Sequence, residues 1–509
     1  MKAFLDKHRD QIDGTLSCPD RIIIKGYLPL GYVEGMERFL YARGILIKDF
    51  GSFVRQQFDR LKLHAQEMAA AAGRRYEFLQ GHERKEDRAR HIASARGIRE
   101  GLVCVFGTVE PCQTFKIVPG KRRPHLARAK RKCLFLYFYF IDPKLGLIHV
   151  RVQTWFPFTI QIYLNGHEWL ARRMDAEALG YIRSGNAFTW IEDPERAQAL
   201  ADEFSQRPWL LPLHELAYMV NPLLKDLLRN LEYQWVIDQA EYATDIMFRN
   251  RKALQSVFPR LLRYATTAFS AEDVLRFFGH SRTRGWSAGD TTDTKRTVYG
   301  ARIKHRIHGN WLKMYDKKGS VLRIETVINQ PRHFRIRRRG MRHGQLVDGW
   351  FPMAKRITNL YRYAQIACGA NHRYLNSLAC ITSPARAQDT LQRIAEPVVH
   401  QGRTIRGFNP VAKIDVAIFQ AVLRGEHCIQ GLRNVDLREA LNMPCGKSPA
   451  SRKASAWASR VLHRLHAHGL LAKVPRSRRW RPTEAGQAFM ALAIRLHDTN
   501  FLTELEKVA

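Results

Sequence analysis

Apolar and polar residues alternate with a period of two through 300–329, the most regular pattern in the chain. Ile303, Ile307, Leu312, Met314, Leu322 and Ile324 fall on one face. Arg302, Lys304, Arg306, Lys313, Tyr315, Lys317, Arg323 and Glu325 fall on the other. Successive side chains of a strand point to opposite faces, so this pattern predicts three short strands. Tight turns are expected at His308-Gly309-Asn310 and Lys318-Gly319-Ser320. One side can close on a core; the other is a cationic plate holding one phenol and one carboxylate.

The same reading places a helix over 1–12, a strand over 20–28 between Pro19 and Pro29, helices over 33–43 and 52–72, and a strand over 101–110. Residues 133–165 form an aromatic-rich meander of three strands (133–141, 147–156 and 159–165), followed by a helix over 168–179. Both faces of 134–140 are apolar, which predicts a central strand covered on both sides. Residues 193–230 and 251–279 are helical, with a capping box at Ser270 and Asp273. The segment 233–248 reads as either element. As a helix it would set Asp238, Glu241 and Asp245 on one face, a metal site or a polar stripe paired with arginine. Residues 282–297 read as a mobile loop, and 333–343 as a further cationic run. The C-terminal third is helical over 351–380, 386–395, 411–424, 434–442, 450–468 and 483–495, with a hairpin of 470–474 and 479–482. Helix, helix, basic wing, helix is the order of a winged helix-turn-helix.

The fold class expected is therefore α+β: a mixed or antiparallel sheet core with surrounding helices, plus a C-terminal winged helix-turn-helix. The domains expected are 1–130, 131–345, 346–425 and 426–509.

Charge sharpens the functional picture. Among 509 residues, 83 Lys and Arg face 47 Asp and Glu, a formal net charge of +36. A polyanion is the economical partner, and nucleic acid is the commonest one. No apolar run reaches the ~18 residues that a membrane span needs. The N-terminal residues contain no apolar signal core, so a cytoplasmic protein without a membrane partner is expected. The cysteines at 18, 104, 112, 133, 368, 380, 428 and 445 form no CxxC pair, which argues against a zinc knuckle and for reduced thiols. No acid occurs from 111 to 141, and within that stretch Lys121, Arg122, Arg123, Arg128 and Lys130 form a basic arm suited to phosphates.

Two local resemblances follow from these residues. The stretch 468–489 resembles the wing and closing helix of bacterial winged-helix DNA-binding domains. That likeness implies base or phosphate contact by Ser451, Arg452, Lys453, Ser455 and Arg460, and wing contact by Arg476, Arg478 and Arg479. Gly300, Arg302, Lys313, Tyr315, Asp316, Lys317, Leu322, Arg323 and Glu325 resemble a stretch of the rolling-circle replication initiators of plasmids and filamentous phages. Those proteins nick one DNA strand with a tyrosine, aided by a divalent metal. On this likeness Tyr315 is the nucleophile, Glu325 a ligand of Mg²⁺ or Mn²⁺, and Lys313, Lys317 and Arg323 stabilise phosphorane charge. The paired-histidine metal motif of many such enzymes is missing, since His305 and His308 are spaced differently. In the stretches DRIIIKGYL (20–28), GIREGLVCVFGTVEPC (97–112), CLFLYFYF (133–140), VQTWFPFTIQIYLNG (152–166) and KMYDKKGSVLRIETVIN (313–329), and over nearly its full length, the chain resembles a widespread bacterial family associated with mobile elements, which carries over no catalytic residue.

The function expected is a nucleic-acid-binding protein of a mobile genetic element, whose catalytic form would be a replication-initiator-like nicking endonuclease. The alternative is a non-catalytic DNA- or RNA-binding protein, a ribonucleoprotein component or a repressor. A further alternative is an RNA-guided nuclease or transposase with a ribonuclease-H-like core. It needs Asp20, Asp142, Asp238 and Asp245 to converge.

Overall fold

A computed structural model describes residues 1–80, 83–120, 123–280, 290–379, 392, 394–410, 412–425, 427, 431–475 and 477–498. Among these the architecture is α+β, with one large mixed sheet and helices around it. The sheet has eleven strands. They are β1 (Ile12–Tyr27), β2 (Tyr76–Phe78), β3 (Gly101–Val118), β4 (His125–Asp142), β5 (Gly146–Gln153) and β6 (Ile160–Asn165), then β7 (Gln234–Phe248), β8 (Thr291–Thr297), β9 (Gly300–Ile307), β10 (Asn310–Lys317) and β11 (Val321–Ile328). Their order across the sheet is β8-β9-β10-β11-β7-β1-β6-β5-β4-β3-β2.

By compactness the chain divides into two units. The first comprises Met1–Asp13, Ile246–Glu325 and Cys368–Ala509; the second comprises Gly14–Asp245 and Thr326–Ala367. Both boundaries around the middle of the chain fall inside strands, in β7 and β11. The boundary expected at 130 falls inside β4, and that at 345 opens the strand Gln345–Pro352.

The second unit is built on the meander. β3 and β4 pair antiparallel from Gly101↔Ile141 to Val118↔His125, and β1 pairs with β6 through Arg21↔Asn165. Residues 135–140 of β4 are buried on both faces, as their unbroken apolar run requires. Val103, Phe106, Phe135, Tyr137, Tyr139 and Leu147 form a core under the helix Lys85–Ala95. Arg128 and Lys130 of the basic arm thus lie on the outer half of a long hairpin.

The three strands expected over 300–329 are present, and their turns carry paired positive φ angles: 49° at His308 and 74° at Gly309, then 63° at Lys318 and 90° at Gly319. Consecutive left-handed residues make the two-residue turn whose twist matches an antiparallel hairpin. Further along lie helices Asn434–Ala440 and Pro449–Ala467, a hairpin pairing Leu471–Lys473 with Trp480–Pro482, and the helix Glu484–Asp498. Leu437, Ala458, Leu462, Leu465, Leu470 and Phe489 close their shared core.

Several expectations need correction. β1 starts eight residues early and runs through Pro19, so this proline sits inside the strand. Residues 233–248 form strand β7 and no helix, because β-branched and aromatic side chains (Trp235, Val236, Ile237, Tyr242, Thr244 and Ile246) outweigh the three- and four-residue acid spacing. Within 282–297, residues 291–297 form edge strand β8, paired with β9; 282–289 lie outside the described residues. The run 333–343 contributes a strand, Arg335–Arg342, whose hairpin partner Gln345–Pro352 takes the place of the helix start expected at 351.

Candidate metal centre and cationic surfaces

The second unit holds a buried acidic cluster. Asp20 projects from β1 and is 7% exposed; Glu241 and Asp245, at 7% and 1%, come from β7. A strand repeats every two residues, so Glu241 and Asp245 share a face and Asp238 takes the other. The Asp20 and Glu241 carboxylates offer oxygens within 4.8 Å of one another. Asp238 instead pairs with Lys25 at 2.9 Å, and Asp142 caps its own turn by accepting from the amides of Lys144 and Leu145 at 2.8 Å. Of the four aspartates whose convergence was in question, Asp20 and Asp245 meet, by way of His167.

That histidine is delivered by the start of the helix Gly166–Ala176. Asn165 caps this helix, accepting from the amides of His167 and Glu168. Gly166 allows the helix to start against β1, since a Cβ there would sit 2.1 Å from the Pro19 carbonyl oxygen. His167 is fully buried, with Nδ1 3.6 Å from Asp20 Oδ1 and Nε2 3.8 Å from Asp245 Oδ2. Phe188 stacks on its ring, and the Asn186 amide donates to Asp20. Arg21 stands beside the acids. Burial works against its charge, but Glu241, Tyr163 and Asp20 outweigh burial and raise its pKa. Hard carboxylate oxygens brought together from two strands suit Mg²⁺ or Mn²⁺.

The plate in the first unit is less open than its alternation suggested. The strand faces are as expected: Arg302 lies opposite Tyr315 and Lys304 opposite Lys313. Arg323 and Glu325, however, are 0% and 2% exposed, so neither belongs to a solvent surface. Glu325 accepts from the Lys313 ammonium and, at 2.6 Å, from the Tyr315 hydroxyl. Lys304 is buried with Nζ 3.6 Å from the centre of the Trp311 ring, and burial, with Arg306 and Lys313 nearby, lowers its pKa. Asp293 of β8 lies 3.7 Å from Arg302 and 4.0 Å from Arg306. Lys317 is half-buried, with Nζ 6.0 Å from the Tyr315 ring centre. The plate is a compensated, partly covered face, because the edge strand brings in an acid that the three-strand reading left out.

The basic arm keeps its charge open. Lys116, Arg123, Arg128, Lys130, Arg131 and Lys132 are exposed on β3, β4 and the hairpin tip, and none forms an ion pair among the described residues. Lys121 and Arg122 lie outside the described residues. Near the C-terminus Arg452, Lys453, Arg460 and Arg478 are exposed, while half-buried Arg479 donates to the Gly431 carbonyl. Arg476 lies outside the described residues. Ser451 is buried and accepts from Arg438, and Ser455 Oγ donates to Asn434. Both seryl hydroxyls are therefore engaged within the fold.

Sequence reasoning named Glu241 only as a helical ligand and missed His167 and Trp311. Strand period would have placed Glu241 with Asp245. Nothing local marks His167, since its role arises from the approach of one helix start to β1. No protein-family model, curated protein or solved structure matches the chain. Among the described residues no helix is long and apolar enough to cross a membrane.

Proposed function

We propose that the protein binds nucleic acid and performs metal-dependent phosphodiester chemistry on it, a nicking or strand-transfer step of the kind mobile genetic elements use. The observation behind this reading is the buried pair Asp20 and Glu241, with oxygens within 4.8 Å, in a chain of net charge +36. Acids this close can hold one divalent cation, which polarises a phosphoryl oxygen or lowers the pKa of a water. Arg21 is placed to offset charge on a substrate phosphate, and His167 with Asp245 would steady Asp20. The exposed cations of the β3–β4 hairpin supply sequence-independent grip. The C-terminal helix, helix, hairpin, helix order fits a winged helix-turn-helix whose Arg452, Lys453, Arg460 and Arg478 contact backbone or bases.

The test is cleavage of labelled single strands and supercoiled plasmid with Mg²⁺, Mn²⁺ or chelator. Asp20→Asn and Glu241→Gln are expected to bind normally and lose cleavage. Wild-type protein that binds but never cuts would favour the ribonucleoprotein or repressor alternative. A second reading rests on the 2.6 Å hydrogen bond from Tyr315 to Glu325: the phenol attacks phosphorus, its proton passes to Glu325, and a phosphotyrosine forms as the 3′ or 5′ oxygen leaves. A labelled strand that stays on denatured wild-type protein, but not on Tyr315→Phe, would support it.

A further inference from the structure

We infer that the nucleic acid is single-stranded where it meets the second unit, gripped along the β3–β4 hairpin and stacked on Tyr27 and Tyr32 in the groove beside it. The inference rests on the nucleic-acid reading above and deepens it. A groove of about 670 Å³ opens among the end of β1, the residues just after it, and the middle of the hairpin. That volume lies within the roughly 300–1,000 Å³ of sites that enclose small organic groups.

Its lining has the composition that an unpaired base needs. Tyr27 and Tyr32 line the groove and are 39% and 48% exposed, so their ring faces are accessible to a ligand. Gln113 and Gln234 also line the groove and are exposed. Neither these phenols nor these side-chain amides have hydrogen-bond partners among the described residues. Flat rings can take base faces, and the amides can take base edges. Arg128 reaches the same groove, and Lys130 and Lys132 alternate with it along β4 on one exposed row. The row spans about 13 Å at ~3.3 Å per residue, the scale of two phosphates of an extended strand. A duplex would present its phosphates to the row, but its stacked, paired bases would be closed to the tyrosines. The geometry thus separates a sequence-independent grip, common to any nucleic acid, from a stacking contact that a single strand alone can make.

The experiment measures binding of a fluorescent 20-nucleotide thymidine strand and a 20-base-pair duplex in chelator, so that no cleavage intervenes. Stacking is worth roughly five- to a hundredfold in affinity per base. The Tyr27→Ala/Tyr32→Ala variant should lose about tenfold or more for the single strand and stay within about twofold for the duplex. Tyr27→Phe/Tyr32→Phe should retain wild-type binding, since it keeps the rings. Equal losses on both ligands, or no loss on either, would overturn the inference while leaving nucleic-acid binding intact. So would selective binding of thymidine monophosphate with no preference for the strand over the duplex. Binding of neither polymer by wild-type protein would sink the underlying reading as well. Thermal melting of each variant checks that the unit is folded.

Discussion

Neutralising Glu241 should leave the metal-free protein nearly as stable as before and remove its response to divalent cations. Two ionised carboxylates within 4.8 Å repel by at least about 3.5 kcal/mol at an effective dielectric of 20. Glu241→Gln removes that repulsion. It also removes the attraction between Glu241 and Arg21, the strongest of the interactions that raise the Arg21 pKa. The two changes have opposite sign and similar origin, so the net effect on the apo protein should fall within about 1 kcal/mol of zero. In wild-type protein a cation replaces repulsion by shared coordination. At a concentration one hundred times the dissociation constant it stabilises by about 2.7 kcal/mol. For a unit of this size that corresponds to roughly 5–10 °C in melting temperature. The assay is thermal melting of both proteins in chelator and across a Mn²⁺ and Mg²⁺ series, with calorimetric titration of the metal. Refutation is unambiguous: a wild-type melting temperature flat to millimolar cation, together with a variant destabilised by several kcal/mol in chelator. That pattern would make the cluster a structural ion-pair network.

Four further outcomes are expected. Gly166→Ala drives a Cβ into the Pro19 carbonyl at 2.1 Å, so it should cost about 1–3 kcal/mol in urea unfolding and weaken cation binding by displacing His167. Changing Arg128, Lys130, Arg131 and Lys132 together to Ala should reduce the slope of log affinity against log salt by about 3 to 4 for duplex DNA, and an unchanged slope would remove the hairpin from the interface. Burial pushes His149 down to about 3 and His305 down to about 4. Their contribution to stability is whole above the unfolded value of about 6.5 and is lost as pH falls from there towards the folded values; urea unfolding should lose on the order of 2 kcal/mol per histidine between pH 7 and 5, and His149→Phe should flatten that dependence in the second unit. Glu325→Gln should preserve the fold but abolish any covalent strand adduct formed through Tyr315, and an adduct of undiminished yield would remove Glu325 as the proton acceptor.

Much of the secondary structure was legible because local chemistry and burial agreed. The alternation over 300–329, the paired turn residues at 308–309 and 318–319, and the apolar run of 134–140 each encode their element within a few residues. Reading failed where two periodicities competed. In 234–248 the charges follow a helical spacing while the bulky and branched side chains favour a strand, and pairing within a sheet decided the matter. It failed again at 291–297, where polar, exposed residues form an edge strand that only a neighbour can specify.

The charge excess, the acid-free arm and the faces of the plate can be read from the residues alone, because they depend on composition and on a period of two. Tertiary structure alone decided which charges stay open. It covered Lys304 with Trp311, buried Arg323 and Glu325, and left the described cations of the arm without ion pairs. It also assembled the acidic cluster, since Asp20 and Glu241 are 221 residues apart by their numbering and meet only through the folding of the chain. Long-range contacts leave no local pattern, because the energy that makes them comes from burial and pairing summed over whole strands and not from the residues flanking each acid.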